Sequence, residues 1–349
     1  MEEHNWWLYT AAFTVAFVIA LIATPYAKKI SIKLKAIDHP KARGLQKEPI
    51  PRIGGLAIVT GFLVSMLAVA PFFEEFRTIQ FLGFIVGAVI IAILGILDDI
   101  YDLSAKIKIV VQLIAALIVV FTGTTIEMLA WPFNDTVDYL YTLSIPLTVV
   151  WIIGITNAVN LIDGVDGLAA GVSSICSFFL MVLCILTGSP MAVVFTAALA
   201  GSSLGFLPRN FNPAEIYMGD TGSTFLGYVL AVSSVMGLFK TYTMLAMLVA
   251  VLALALPILD TAFAMIRRYL KGLPLMSADR GHLHHRLIDR GYSQKQAVII
   301  LYMASIITGA LSVLLVIRNF NATMIAILFL GVLGMMIFVY RKRLEKPSQ

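Results

Sequence analysis

The chain has 349 residues, of which 60% are hydrophobic and only 13% are charged, and its formal net charge is +5. That balance excludes a water-soluble domain of this size, because too few charged side chains remain to cover its surface. The two cysteines, Cys176 and Cys184, lie in one apolar segment without CxxC spacing. This spacing argues against a disulfide framework and a cysteine metal site. The chain is therefore predicted to be an integral membrane protein.

A membrane-spanning helix needs about 20 apolar residues, and this template predicts eleven such helices. In chain order they cover 8–27, 53–73, 79–97, 107–125, 143–160, 168–187, 190–207, 222–239, 242–266, 297–317 and 322–340. The first follows Glu2 and Glu3 instead of a basic segment, so we expect a retained helix and not a cleaved signal peptide. The predicted fold class is all-α and polytopic, with one integral membrane domain over 1–349.

Positively charged residues predict how these helices are oriented. With the N-terminus outside and the C-terminus in the cytoplasm, only Arg77, Lys240 and Arg318 of the 25 Lys and Arg residues fall outside, and 22 fall inside. This asymmetry follows the positive-inside rule. Two inside loops, 28–52 and 267–296, are longer than turns, and loops of that length usually carry function.

The first acidic cluster on the predicted inside face is LDDIYD, with Asp98, Asp99 and Asp102 directly after an apolar run. Carboxylates are unfavourable at a helix C-terminus, so a functional site is favoured over a solvated helix end. Adjacent helical residues point about 100° apart. One of the paired aspartates is therefore predicted to face a pocket while the other points elsewhere.

Two further acidic loops follow along the chain. NAVNLIDGVDGL places Asp163 and Asp166 after Asn157 and Asn160, a set that suits sugar hydroxyls, a base edge or hydrated Mg²⁺, although Asp-Gly pairs also form ordinary turns. MGDTGS places Asp220 before an apolar helix, whose N-terminus would bind a phosphate or simply be capped by a side chain. Together the clusters indicate a divalent cation and a phosphorylated substrate.

The second long inside loop contains DRGHLHHRL, with three of the five histidines between two arginines. Its candidate residues are Arg280, His282, His284, His285 and Arg286. Zinc is disfavoured because no cysteine or HExxH spacing accompanies them. Phosphate binding is favoured, with binding of anionic lipids as the alternative. Lys47 and Arg52, in the first long loop, are interpreted more simply as basic residues of the inside face.

Four motifs occur in a fixed order on alternating inside loops: LGILDDxYxLSAKxK, NxxNLIDGxDGLAAG, NFNPAxIYMGDTGSxFLG and HLHHRL. They resemble the polyprenyl-phosphate N-acetylhexosamine-1-phosphate transferases of glycosyltransferase family 4, over nearly the whole chain. HLHHRL is similar to the WecA and TagO branch and differs from the MraY branch. The resemblance implies transfer of N-acetylglucosamine 1-phosphate from UDP-N-acetylglucosamine to undecaprenyl phosphate, with release of UMP. It further implies a multi-pass protein of the bacterial cell membrane with a cytoplasmic active site, acting in teichoic acid or similar glycopolymer synthesis.

The motifs also suggest roles for individual residues. Catalytic roles are implied for Asp98, Asp99, Asp163 and Asp166, and Asp220 is implied as the ligand of Mg²⁺, with Mn²⁺ as the alternative ion. Substrate-binding roles are predicted, from the motifs and their polar neighbours, for Lys47, Asp102, Asn157, Asn160, Asn210, Arg280, His282, His284, His285 and Arg286. The branch typically has a His before PIPRIGG, where this chain has Gln46 and Lys47.

The predicted partners are UDP-N-acetylglucosamine, undecaprenyl phosphate and the bilayer, with no nucleic acid and with a homodimer left open. The alternatives are another UDP-N-acetylhexosamine donor, a phospho-MurNAc-pentapeptide donor, or an ion-coupled transporter. Transporters place acidic residues near the membrane midplane, whereas these clusters lie at helix ends. A lipid phosphate has its second pKa near ~6, so Asp98 or Asp99 is needed only to remove a residual proton. Direct attack and a covalent aspartyl intermediate both stay open.

Overall fold

A computed structural model describes residues 6–39, 48–130, 137–238, 246–270, 272 and 282–318. Within these ranges the chain forms twelve α-helices. They are α1 (Trp6–Lys33), α2 (Gly55–Val69), α3 (Ile79–Tyr101), α4 (Ala105–Phe121), α5 (Ser144–Ile162), α6 (Leu168–Leu186), α7 (Pro190–Asn210), α8 (Gly219–Leu238), α9 (Ala246–Ala253), α10 (Ala255–Leu270), α11 (Leu283–Asp289) and α12 (Gln294–Arg318). The prediction of a helical protein is confirmed.

Four short strands form two antiparallel pairs between the helices. They are β1 (Ile37–Asp38) with β2 (Ile50–Pro51), and β3 (Met128–Ala130) with β4 (Val137–Tyr139). In the first pair Ile37 lies opposite Pro51, and Asp38 lies opposite Ile50. This pair closes the first long loop, 28–52, onto the end of α1, which itself runs several residues beyond its predicted span.

Seven segments in the described part of the chain are long and apolar enough to cross a membrane. They are Trp6–Lys33, Gly55–Phe72, Ile79–Tyr101, Tyr141–Ile162, Leu168–Leu186, Pro190–Asn210 and Gln294–Ile317. Each coincides with a predicted span, so the chain is a multi-pass membrane protein. The predicted span 322–340 lies outside the described residues.

The other three predicted spans are not among these seven segments. The segment predicted at 107–125 is α4, which has 17 residues, and the one predicted at 222–239 is α8. The prediction of a single helix over 242–266 is wrong, because α9 and α10 are separated by one residue. Pro257 explains the break, since it has no N–H to donate to the carbonyl of Ala253 and its ring crowds that carbonyl.

Helix α8 lies at the centre of the bundle. Its side chains from 221 to 237 are all buried, and it packs against α2, α3, α5, α6, α7 and α9. Because protein surrounds it, α8 can carry hydroxyl groups that donate to backbone carbonyls one turn earlier. Ser223 Oγ donates to Gly219 O at 2.9 Å and Thr224 Oγ1 donates to Asp220 O at 2.6 Å. Small and hydroxyl side chains thus let neighbouring helices approach α8 closely.

The predicted site residues come together at one end of this bundle. Helices α3, α5 and α7 end there, and α6, α8 and α12 begin there. The segment 211–218, which leads into α8, is bonded to the β2–α2 junction: Tyr217 N donates to Pro51 O at 2.8 Å, and Gly54 N donates to Tyr217 O at 2.8 Å. These backbone bonds fix the start of α8 relative to the first long loop.

Candidate active site

A cavity of about 990 Å³ opens at this end of the bundle. Its wall carries seven acidic and two basic side chains, which are Asp38, Glu48, Asp99, Asp163, Asp166, Glu215 and Asp220 with Lys28 and Arg52. The acidic residues come from five separate stretches of the sequence. A cavity so rich in carboxylates is suited to bind a cation, and it would repel a phosphorylated ligand that arrived without one.

Asp99 caps the N-terminus of α8. Its Oδ1 accepts from the N–H of Asp220 at 3.0 Å, and its Oδ2 accepts from the N–H and the hydroxyl of Thr221 at 3.0 and 2.6 Å. Gly219 allows this approach, because its φ is +69° and a Cβ there would collide with the Asp99 carboxylate. A carboxylate at a helix N-terminus satisfies free N–H groups and balances the helix dipole. These two N–H groups are therefore not available to a phosphate.

Lys108, on α4, links Asp98 to Asp220. Its Nζ lies 2.9 Å from Asp98 Oδ2 and 2.7 Å from Asp220 Oδ2, and Asp98 Oδ1 accepts from Leu103 N at 2.8 Å. Asp98 and Asp99 are both only 4% exposed, and Asp99 is the one that lines the cavity. The sequence prediction did not select Lys108. One signal was available, since a lysine in the first turn of a helix opposes the dipole unless an acidic partner is near.

Arg52 joins the first long loop to the end of α3. Its Nε donates to Asp99 O at 2.7 Å and its Nη2 donates to Asp98 O at 3.1 Å. The last carbonyls of a helix lack intrahelical donors, so a cation there is favourable. The simpler interpretation of Arg52 as a basic residue of the inside face missed this contact. Nothing in the local sequence links it to Asp98, which lies 46 positions away.

Asp163 is an acidic side chain of the cavity wall. It follows α5 directly, and it has no hydrogen-bond or ion-pair partner among the described residues. Burial raises the pKa of Asp163 to about 8, and the negative charges of Asp220, Asp99 and Asp166 contribute in the same direction. Such a group binds a proton or a cation readily, which is typical of functional sites.

Asp166 and Asn210 shape the segment that precedes α8. Asp166 Oδ2 accepts from Asn212 Nδ2 and from Ala214 N, both at 3.0 Å. Asn210 Nδ2 donates to Ile216 O at 3.0 Å, whereas its Oδ1 is buried without a hydrogen-bond partner. A buried amide oxygen without a donor is unfavourable. Because Asn210 lines the cavity, this oxygen is suited to contact a ligand.

The two asparagines of α5 have different surroundings. Asn160 Nδ2 donates to Ser223 Oγ at 2.8 Å, close to Asp220 at the start of α8. Asn157 Nδ2 donates to Gln112 Oε1 at 2.6 Å and to Ile153 O at 2.8 Å. Asn157 therefore joins α5 to α4 and is not among the residues that line the cavity.

The HLHHRL segment contacts the site through His284. His284 packs against Gly164, where a Cβ would lie 2.6 Å from its Nε2, and this Nε2 is buried without a hydrogen-bond partner. Burial, followed by the neighbouring His285, lowers the pKa of His284 to about 3. The lowered pKa favours the neutral imidazole of His284 near pH 7. His285 and Arg286 are half-buried on the same short helix.

Asp102 is a further predicted residue that does not line the cavity. Asp102 is exposed at the end of α3 with a φ of +54°, and its N–H donates to Asp98 O at 2.8 Å. Lys47 and Arg280 lie outside the described residues. In the part of the chain that the structure describes, no three His, Cys, Asp or Glu side chains are close enough together to hold one metal ion. A bound cation would therefore need ligands from water or substrate as well as from the protein.

The chain is similar in sequence to a known protein family and to several named proteins. A family model described as glycosyl transferase family 4 matches residues 81–238, which include the six aspartates discussed above from Asp98 to Asp220. The chain is 42% identical to a Bacillus subtilis (strain 168) protein named "Probable undecaprenyl-phosphate N-acetylglucosaminyl 1-phosphate transferase", over 87% of this chain and 84% of the relative. It is 33% identical to a Mycobacterium leprae (strain TN) protein named "Decaprenyl-phosphate N-acetylglucosaminephosphotransferase", over 94% and 89%. It is 28% identical to a Salmonella typhi "Undecaprenyl-phosphate alpha-N-acetylglucosaminyl 1-phosphate transferase", over 85% and 81%.

Proposed function

Because this chain belongs to glycosyl transferase family 4, we propose that it transfers N-acetylglucosamine 1-phosphate from UDP-N-acetylglucosamine to undecaprenyl phosphate and releases UMP. One observation carries the proposal: an acidic cavity with the unpaired Asp163 lies at one end of a membrane bundle. A soluble nucleotide sugar and a membrane-bound phosphate can meet only at such an end. An oxygen of the acceptor phosphate bonds to the phosphorus that carries the sugar, and the bond from that phosphorus to UMP breaks.

Repulsion between the two phosphorylated substrates is the barrier that the site must lower. The cavity wall adds further negative charge, so a cation is needed. Mg²⁺ fits, because it prefers oxygen ligands and is often held by one or two carboxylates plus substrate phosphates. Asp220 and Asp163 are the carboxylates that would hold it, with Mn²⁺ as an alternative. When bound, the ion supplies positive charge to the diphosphate and to the departing UMP.

Lys108 is the residue that we assign to the acceptor phosphate. Its ammonium contacts Asp98 and Asp220, while its neighbours on α4, Ile107 and Val110, are about half exposed on the outer surface of the bundle. An isoprenoid chain could lie against these apolar side chains within the bilayer, with its phosphate beside Lys108. Since that phosphate is mostly deprotonated at neutral pH, the site has to position it more than to activate it.

Asp99 and Asp98 act indirectly, because each positions another residue of the site. Asp99 holds the start of α8 and thereby the position of Asp220. Asp98 holds Lys108. Both carboxylates already accept hydrogen bonds at both oxygens, so we assign them positioning roles in preference to the role of a general base.

The donor can be tested with purified protein in detergent. We expect UMP and lipid-linked N-acetylglucosamine when UDP-N-acetylglucosamine, undecaprenyl phosphate and Mg²⁺ are supplied together, and neither product in EDTA. UDP-MurNAc-pentapeptide serves as the competing donor, because HLHHRL resembles the branch that uses the smaller sugar. A comparable rate with the pentapeptide donor would overturn the donor assignment, and absence of UMP with both donors would overturn the proposed reaction.

We also propose that the cavity faces the cytoplasm of a bacterium, in its cell membrane, and that the product enters a glycopolymer such as teichoic acid. The distribution of Lys and Arg supports this orientation. Exposed aromatic side chains mark the two membrane surfaces: Tyr26 and Tyr101 lie at the cavity end, whereas Trp7 and Phe72 contact each other at the opposite end, with ring centroids 5.3 Å apart.

Cysteine labelling in intact cells tests the orientation. Cys176 and Cys184 are buried, so the background of a membrane-impermeant thiol reagent should be low. A cysteine placed at Glu74 should react from outside, and one placed at Asp289, which is exposed on α11, should react only after the cells are opened. Equal labelling of both positions in intact cells would contradict a cytoplasmic site.

A further inference from the structure

A buried carboxylate that does not line the cavity holds the HLHHRL segment. Asp260, on α10, places its Oδ2 2.8 Å from His282 Nδ1, and its Oδ1 accepts from Leu283 N at 2.8 Å. Asp260 is 2% exposed and His282 is 5% exposed. Neither the sequence motifs nor the cavity residues include Asp260.

The two contacts restrain both the backbone and the ring of the segment. Leu283 is the first residue of α11, a helix of seven residues that is too short to be stable without tertiary contacts. An ionised carboxylate can only accept hydrogen bonds, so the proton of His282 must lie on Nδ1. A buried carboxylate paired in this way with an imidazole fixes the orientation and tautomer of the ring.

The restrained segment leads directly to the candidate active site. The ring of His282 is parallel to that of His284, with centroids 5.8 Å apart and an interplanar angle of 5°. His284 in turn packs against Gly164, the residue after Asp163, and keeps a buried Nε2 without a hydrogen-bond partner. A shift at the start of α11 would therefore move the one described imidazole that contacts the Asp163–Gly164 turn.

We propose that Asp260 is a positioning residue for the transfer reaction. It holds His282 as the Nδ1–H tautomer and holds the first residue of α11, so that His284 Nε2 stays against the turn that carries Asp163. Asp260 itself contacts neither substrate nor metal. The inference rests on the proposed function, because it assigns Asp260 to the same site.

Asp260→Asn is the first test. The amide keeps the size of the side chain and can still accept from Leu283 N, but it no longer offers a second acceptor to His282. We expect kcat/KM for UDP-N-acetylglucosamine to fall about 10- to 100-fold, with little change in the KM for undecaprenyl phosphate. Thr261→Val is the matched control, since its hydroxyl has no hydrogen-bond partner, and it should behave as wild type.

A double variant tests whether the loss of activity in Asp260→Asn arises through His282 or from an independent structural defect. If Asp260 acts through His282, Asp260→Asn combined with His282→Ala should be no slower than His282→Ala alone. Losses that multiply would overturn the proposal, as would wild-type kinetics of Asp260→Asn. Wild-type protein that releases no UMP would instead contradict the proposed function, whatever the variants do.

A measurement on the unaltered chain keeps the proposal testable even where Asp260→Asn fails to fold. The chain has only five histidines, so ¹⁵N spectra of histidine-labelled protein in lipid bilayers can be assigned by removing them one at a time. We expect His282 to carry its proton on Nδ1. A neutral ring with its proton on Nε2 would overturn the proposal without any reference to activity.

Discussion

Two sides of the cavity differ in how fully their polar groups are paired. The first side, the α3–α8 corner, consists of Asp98, Asp99, Lys108 and Asp220. The second, the open wall, consists of Asp163 and Asn210, which line the cavity, and of His284, which packs against Gly164 of the lining. Every charged group of the corner has a hydrogen-bond or ion-pair partner, whereas each member of the open wall has a polar atom without one in the described part of the chain.

Under the proposed function, this contrast separates groups that support the site from groups that would contact a ligand. Asn210 Oδ1 and His284 Nε2 are buried without a partner, which is unfavourable by about 1–3 kcal/mol for each atom, and such unfavourable groups persist at functional sites. The corner is therefore a preorganised support. The open wall is the side on which cation, donor sugar or diphosphate would supply the missing partners.

The largest expected effect comes from Asp220, which belongs to the corner but also lines the cavity. Asp220→Asn keeps an acceptor for Lys108 and removes the negative charge needed for a cation, so turnover should fall about 10³-fold while the folded protein remains. UMP release in saturating Mg²⁺ measures this loss. The control is Glu215→Gln, since Glu215 is an exposed carboxylate on the same cavity wall. Activity retained by Asp220→Asn would remove Asp220 from the cation site.

Substitutions in the corner and in the open wall should differ in their effect on the stability of the folded protein. Asp99→Ala leaves the N–H groups of Asp220 and Thr221 without an acceptor, so the free energy of unfolding should fall by about 1–3 kcal/mol. Asp163→Asn removes a carboxylate that has no partner and that three other carboxylates repel, so its unfolding temperature should stay unchanged or rise while its turnover falls about 10²-fold. Thermal unfolding in detergent measures both. Equal destabilisation by the two substitutions would contradict the proposed difference between the corner and the open wall.

The pH dependence of stability should also reflect Asp163. Its pKa is raised from 3.8 to about 8 in the folded protein, so the folded state binds the proton more tightly than the unfolded state. This contribution to stability is fully present below the unfolded pKa and is lost as the pH rises toward about 8. Wild-type protein without Mg²⁺ should therefore lose stability between about pH 4 and pH 8 relative to Asp163→Asn.

Added Mg²⁺ should reduce that difference, because a bound cation favours the ionised carboxylate. The unfolding temperatures of the wild type and Asp163→Asn, compared at each pH with and without Mg²⁺, test this prediction. A constant difference between the two proteins across the pH range would show that Asp163 does not titrate as described.

The smallest expected effect concerns His284. Because its pKa is lowered to about 3, we expect it to act as a neutral hydrogen-bonding group near pH 7. His284→Gln should then retain more activity than His284→Ala, with losses of about 10-fold or less for Gln, and neither variant should change the pH profile of kcat/KM for the donor. A profile that loses an ionisation near pH 6 to 7 in both variants would mean that His284 is charged during the reaction.

The sequence allowed much of this site to be anticipated. Asp163 and Asp220 were identifiable because carboxylates beside apolar segments are unfavourable unless they have a role, and most helix bounds followed from hydropathy. Lys108, Arg52 and Asp260 were missed. Each acts through a partner far away in sequence, as Lys108 does with Asp220 at a separation of 112 positions, and periodicity within one segment carries no information about such pairs.

By itself, the sequence determined that this chain spans a membrane many times and collects its acidic loops at one surface, because hydropathy and charge act locally along the chain. Only the tertiary structure decided which carboxylates are paired and which are open. Asp98 and Asp99 are neighbours in sequence, yet one holds Lys108 and the other holds the start of α8. Asp163 differs from both because the folded chain brings three other acidic groups near it and, among the described residues, no cationic partner. Burial and charge at a point depend on every element packed there, which is why the chemical character of each aspartate emerges only from the assembled bundle.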